Sequence, residues 1–255
     1  MTKSYYFKSL LLSSAALSVL FVSCGSDGGE EEILTVSPTS VIMHYDESQQ
    51  LTASGQIDFW TSDNEFVATV SPTGLVSGNH VGVTSIKAAK GTKSVFSTVE
   101  IKPRYNVFDT PVTDFGATKA TIKSREKHTF SSERDNALLY IFSEGTHPCL
   151  ASYAFQNNKL FAIYLYLKAG DYQAAGLHLL ERYQPATLYD DAYFFMNGLT
   201  SASSNMMIML ETTTFSGSTM TCVAYGKWPM ESSSFAKDTR SYFPETALPL
   251  NELFQ

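Results

Sequence analysis

Two serine–lysine pairs stand at the spacing of a serine nucleophile and its lysine partner: Ser124-Arg125-Glu126-Lys127 and Ser234-Phe235-Ala236-Lys237. Acyl transfer by such a pair also needs Ser-Asp-Asn and Lys-Thr-Gly stretches around the same pocket. The one Ser-Asp-Asn, Ser62 to Asn64, lies upstream of both pairs and no Lys-Thr-Gly occurs, so both read as chance. No Gly-x-Ser-x-Gly elbow is present. Asp190-Asp191 offers half of a carboxylate pair for acid–base work, but adjacent aspartates ahead of a strand commonly form a turn. His128, His147 and His178 are scattered, with no HExxH, no C-x-x-C and no histidine pair at helical spacing. No catalytic residue, metal site or cofactor is expected from these patterns.

Aromatic and sulfur groups remain. In "LFAIYLYL", Leu160 to Leu167, both alternating faces are apolar, which predicts a central strand buried on both sides. Were the face bearing Tyr164 and Tyr166 open, those rings would form a platform for stacking on sugars or docking a protein. Cys149 and Cys222 can pair in an oxidising envelope or remain two buried thiols.

Cys24 has a different setting. Lys3 and Lys8 precede an apolar run ending in Leu17 to Val22, a charged n-region followed by a short h-region. Ser23 directly before Cys24 resembles the lipobox of bacterial lipoproteins, with Phe21 where leucine is usual. The resemblance implies a signal peptide over 1–23 and a diacylglycerol on Cys24, holding the protein on a membrane through buried acyl chains. Residues 24–32 then form a glycine-rich acidic tether, with Asp27 and Glu30 to Glu32, similar to the export signal of surface-exposed lipoproteins in the Bacteroidetes. The implied location is the outer membrane, facing the cell surface. Net charge is −7 for the 255 residues, and without Lys3 and Lys8 the balance is 16 basic against 25 acidic residues, or −9. Nucleic acid is excluded as a partner, since no basic stripe is available for a phosphate backbone.

Residues 33–103 carry short strand patterns separated by turn signals, the rhythm of an all-β sandwich. "VSPTSV" (Val36 to Val41), "DFWTSDNEFVATVSPTGLVSG" (Asp58 to Gly78) and "VGVTSIKAAKGTKSVFSTVEIK" (Val81 to Lys102) resemble the bacterial immunoglobulin-like domain of group 2. In this family such modules resemble spacers and stalks as often as ligand sites. Trp60 is expected between the sheets and Gly74 and Gly82 at positions a Cβ would disfavour. His80, where the family is small or apolar, is expected in a solvated loop.

Residues 109–229 read as a second, α+β unit. Thr118 caps a short helix, strands follow at 137–142, 150–156 and 159–168, and Asn157-Asn158 suits a tight hairpin. Asp171 caps a second helix that Pro185 stops, with strands at 193–196, 206–215 and 218–227. Two helix-plus-three-strand units predict one antiparallel sheet with both helices on one face. The unit resembles C-terminal domains of uncharacterised Bacteroides lipoproteins and, in topology alone, β-lactamase-inhibitor-like proteins. Residues 230–255 show no period and read as a loosely held tail. The expected function is a non-enzymatic surface lipoprotein whose distal unit contacts a glycan or protein. The alternatives are a subunit of an envelope hydrolase and an architectural or inhibitor-like protein. Ligand and oligomeric state stay open.

Overall fold

The computed structural model describes residues 33–143, 147, 149–189, 192–215 and 217–229. Cys24 with the leader and tether, Asp190, Asp191, Ser234 to Lys237 and the rest of the tail lie outside the described residues.

The first unit is a sandwich of short strands: β1 (Val36–Ser37), β2 (Ser40–His44), β3 (Ser48–Gln50), β4 (Thr52–Ala53), β5 (Phe59–Ser62), β6 (Ala68–Val70), β7 (Leu75–Gly78), β8 (Gly82–Lys90) and β9 (Lys93–Lys102). One sheet runs β2-β9-β8-β5, the other β3-β7-β6, and β1 pairs with β4 at the side. Period-2 alternation sends Val41 and Met43 of β2, Ile86 of β8 and Val99 and Ile101 of β9 into one core with Leu51, Ala68 and Val76, while Ile42, Val83 and Phe96 stay exposed. Trp60 packs against that core as expected.

The second unit is dominated by one eight-stranded antiparallel sheet. Its elements are α1 (Lys119–Arg125), β10 (Thr129–Arg134), β11 (Ala137–Phe142), β12 (Cys149–Gln156), β13 (Lys159–Lys168), α2 (Tyr172–Leu180), β14 (Gln184–Tyr189), β15 (Ala192–Met196), β16 (Met206–Phe215) and β17 (Ser218–Lys227). Strand order is β10-β11-β12-β13-β17-β16-β15-β14, so each half is a helix followed by a four-stranded meander, and the two halves meet where β13 pairs with β17. The expected three strands per half are therefore four. The edge strands β10 and β14 escaped the sequence reading because "TFSSER" is polar and because Pro185 reads as a helix stop. A proline is tolerated on an edge strand, where its missing N–H costs no ladder bond.

Local signals set the helices. Thr118 accepts from the Thr121 N–H at 3.3 Å, the expected cap. Asp171 makes no cap bond and instead pairs with His147 Nδ1 at 2.8 Å. Asn157 and Asn158 sit at φ 52 and 58, turning β12 into β13. Ile122 of α1 and Ala175 and Leu179 of α2 bury in one cluster with Leu138, Ile163, Leu165, Ile208 and Val223, so both helices cover the same sheet face. Val107 and Phe108, just ahead of the expected boundary at Asp109, are buried in that cluster too. Fully burying a side chain such as Leu165 contributes about 2 kcal/mol.

Candidate functional site

The most heavily bonded group of titratable residues joins the two units. Glu181, directly after α2, is 2% exposed. Its carboxylate accepts from the Arg104 N–H, at 3.0 Å on each oxygen, and from the Tyr105 N–H at 3.0 Å. Its carbonyl accepts from the Val81 N–H at 2.7 Å. One turn earlier His178 Nδ1 accepts from the Val107 N–H at 3.2 Å, and Arg182 donates to the Tyr105 carbonyl at 2.9 Å. Arg104 in turn reaches the Tyr45 carbonyl and Glu47. His80 belongs to the same region: it is buried, stacked on Phe66, with Nδ1 2.7 Å from the Phe66 carbonyl. The solvated-loop expectation for His80 is thereby corrected; ring stacking and a backbone partner hold it inside. His178 and Glu181 lie together here, yet both are spent on backbone N–H groups.

This joint makes stability acid-sensitive. Burial, followed by the Arg182 charge, pushes His178 down from 6.5 to about 3, against a smaller opposing contact with the Tyr105 carbonyl. Burial also lowers His80. Between the ordinary and the folded values the unfolded chain takes up a proton that the folded chain refuses. Stability is thus fully present above pH 6.5 and falls with acidification toward pH 3, by up to about 1.4 kcal/mol per pH unit for His178 alone. Melting curves from pH 7 to pH 4 are expected to show a steadily falling Tm; a flat Tm over that interval refutes it.

A second cluster lies at the end of α1. Tyr153 donates to Glu126 Oε2 and accepts from the Val112 N–H at 3.0 Å. Glu126 Oε1 is 2.5 Å from His128 Nδ1, and His128 Nε2 is 3.2 Å from Asp109. Burial opposes the charge on Glu126, but the bonds from Tyr153 and from the His128 N–H and ring outweigh it and lower its pKa. The two carboxylates bind opposite nitrogens of one ring, so they share no point where a metal would sit, and no metal-ligating group of three occurs among the described residues. Ser124 donates to the Thr121 carbonyl, and the backbone is already extended at Glu126. Lys127 is therefore off the helix, and the first Ser-x-x-Lys pair has lost its helical spacing.

Two readings that the sequence left open are decided here, against ligand contact by the two tyrosines and against a disulfide. Tyr164 and Tyr166 are each 1% exposed. A ring without accessible surface has nothing to offer a ligand, so these aromatics are core. Cys149 and Cys222 are free and buried. The register aligns Leu150, Tyr166 and Cys222 on one face, which puts Cys149 on the other, and no bridge crosses the sheet. Desolvation pushes Cys149 up to about 12 and raises Cys222 further, which makes both thiols inert.

A recess does exist elsewhere. A cavity of about 550 Å³ lies between α2 and the β14–β15 hairpin, lined by Tyr172, Gln173, Gly176, Leu177 and Leu180 from the helix, Pro185, Ala186 and Thr187 from β14, Tyr193, Phe194 and Phe195 from β15, and Leu210 of β16. Tyr193 is 46% exposed and stands at its mouth, while Phe195 and Leu210 are buried at its floor. Gly176, a weak point of the helix on propensity, leaves the space open: a Cβ there would touch Leu210 at 3.5 Å. No lining side chain is a carboxylate, imidazole, amine or thiol. The volume suits ligand capture, since such pockets run from about 300 to 1,000 Å³, and the chemistry is apolar contact. The aromatic run Tyr193 to Phe195 was the sequence signal for this place; what hid it was the missed strand β14.

Residues 32–101 match the family model of the bacterial Ig-like domain (group 2). This stretch is a bacterial Ig-like domain. The match ends before the eight-stranded sheet. Among solved structures, that of an EHEC O157:H7 intimin mutant is 16% identical, covering 47% of this chain and 91% of that one with a TM-score of 0.24. Domains 5-6 of the S-layer protein SbsC are 17% identical, covering 79% of this chain and 86% of that one with a TM-score of 0.23. Domains 4-9 of SbsC are 16% identical, covering 79% of this chain and 27% of that one with a TM-score of 0.23. No curated protein sequence is similar to the chain. The Ig-like domain and the sheet unit are thus joined through Glu181, with backbone groups of both on the bonds around that one residue.

Proposed function

We propose that this chain is a non-catalytic binding protein of the cell surface, held at the outer membrane by a lipid on Cys24, in which the Ig-like domain is a stiff spacer and the sheet unit captures a protein ligand. The carrying observation is the apolar cavity beside β14, an edge strand. An edge offers unpaired backbone N–H and C=O groups to an incoming extended segment, and the cavity takes an apolar side chain from it. A sugar would ask for convergent polar groups, and the lining supplies few besides Gln173, Thr187 and tyrosine hydroxyls. No carboxylate, imidazole, amine or thiol lines the cavity, and His178 on the same helix and Glu181 directly after it are engaged with backbone N–H groups, which supports binding over turnover. The Ig-like domain supports a surface setting, and the charged leader with Ser23 before Cys24 supports the anchor.

A phage-displayed peptide library panned on the purified folded chain tests the binding half. Extended peptides rich in apolar and aromatic residues are expected, with Tyr193→Ala and Leu177→Glu each weakening them at least tenfold. Selected peptides indifferent to both substitutions would sink the assignment. For the anchor, the native product should carry acyl groups on Cys24, and Cys24→Ala should release the protein from membranes; an unmodified terminus on the native product excludes the anchor while leaving the binding site standing.

A further inference from the structure

The two halves of the sheet unit treat the gap between helix and outermost strand differently. In the first half Lys119 and Lys123 of α1 both reach Glu133 of β10, and Lys123 also lies 5.2 Å over the Phe130 ring of that strand. Ion pairs and lysine stems thus bridge the gap. In the second half α2 presents Gln173, Gly176, Leu177 and Leu180 toward β14, and the gap is the cavity. The opening therefore belongs to the residues of α2 and not to the repeated fold.

Its floor has two rows. Registers place Tyr193 opposite Leu210 and Pro185 opposite Phe195, and Leu210 and Phe195 both belong to the helix-side cluster. Along β15 the rows are two residues apart, about 6.8 Å. The helix supplies a matching pair. Gly176 faces Leu210, and Leu180 follows one turn later, about 6 Å along the axis and toward the start of β14. The volume agrees with double occupancy: about 550 Å³ is the space of roughly 18 waters at about 30 Å³ each, more than even a tryptophan side chain fills.

We infer that the segment captured here is an extended strand with an aromatic side chain at one position and an aliphatic one two residues later, which rests on the reading of this cavity as a protein-capture site. Alternate side chains of a strand laid along β14 point to one face, so positions i and i+2 meet the two rows together. The register shift at Ala186 is an extra residue in β14 alone, and a regular strand beside it keeps the two-residue spacing of β15. The ring enters beside Gly176, where the missing side chain leaves depth over Leu210 and Tyr193 offers an offset-stacking partner. The aliphatic group enters among Leu180, Pro185 and Phe195. A charged side chain at either position would lose its water without gaining a partner, so both subsites reject it.

Three labelled threonine-rich peptides with terminal lysines test this by fluorescence anisotropy against the full folded chain, each carrying phenylalanine with leucine one, two or three residues further on. The two-residue spacing is expected to bind about tenfold tighter than the others, since only it buries both side chains. Exchanging its phenylalanine for leucine should cost about tenfold as well. Gly176→Leu fills the first subsite and is expected to abolish that preference for phenylalanine. Gly176→Ala, whose added carbon meets Leu210 at an ordinary 3.5 Å in a better helix former, keeps the fold and should give a smaller loss in the same direction. Equal affinity of the three spacings, with Tyr193→Ala weakening all of them, overturns the two-subsite inference and leaves the capture reading standing. Failure of all three peptides to bind overturns the inference too, and the panned library then judges the capture reading by itself. An unchanged phenylalanine preference in both Gly176 variants removes the ring from this position and overturns the inference as well.

Discussion

Glu181→Ala is expected to cost about 3 kcal/mol and to split unfolding into two transitions, one for the Ig-like domain and one for the sheet unit. Removing the carboxylate takes away the acceptor for the Arg104 and Tyr105 N–H groups without replacing it. A buried donor left without a partner costs about 1–3 kcal/mol, and more when the lost partner is charged. No cavity of comparable size is filled in return, and the site is too enclosed for bulk water to repair the bonds, Glu181 being 2% exposed. Glu181→Gln keeps one acceptor oxygen but turns an NH₂ toward a donor, so an intermediate loss is expected. Calorimetry reads the split directly, and new proteolytic cutting between Lys102 and Val107 should accompany it. A single transition at the unaltered Tm would show that the joint bears no load.

Gly74→Ala is the second large effect, expected to destabilise the Ig-like domain by about 3 kcal/mol. Gly74 has φ +83, and a Cβ there would lie 2.8 Å from the Leu51 carbonyl and 3.0 Å from the Trp60 ring. The left-handed backbone alone costs a non-glycine residue about 1–2 kcal/mol. The clash adds to it because the neighbours are the backbone oxygen of buried Leu51, between β3 and β4, and a packed indole, neither of which yields. The Leu51 N–H donates to the Gly74 carbonyl at 2.9 Å, so displacement of one segment disturbs the other. Gly91→Ala isolates the backbone part, since φ is +57 and nothing lies within 4 Å of the added carbon. Unfolding free energies of the pair from denaturant titration should differ by about 1–2 kcal/mol; equal losses would show that the contact with Trp60 and Leu51 is not the cause.

Much of the architecture was legible because it rests on local rules. Alternation in β8 and β9, the left-handed Asn157-Asn158 turn and the Thr118 cap are each determined by residues a few positions apart, and the doubly apolar run from Leu160 to Leu167 announces a central strand wherever the chain places it. Edge strands were harder. β10 has no apolar face to keep, and β14 opens with a glutamine and a proline, so neither shows a period; their partners Ala137 to Phe142 and Ala192 to Met196 supply the bonds that make them strands.

The candidate site was the least legible part, for the same reason. Tyr164 and Tyr193 are both tyrosines in strands, and composition cannot tell a core ring from one at a cavity mouth. That difference comes from which strand lies at the edge, where α2 crosses, and the lack of a side chain at Gly176. Likewise His80 and Glu181 carry no local sign of being buried. They become buried only because residues distant in sequence bring the Val81, Arg104, Tyr105 and Val107 backbone against α2. The sequence by itself determined the inner strands of the sheet, the sandwich and the central position of β13, all of which depend on near neighbours. Only the tertiary structure decided the joint, the cavity and the separation of Cys149 from Cys222, because each depends on surfaces that exist once the sheet has closed.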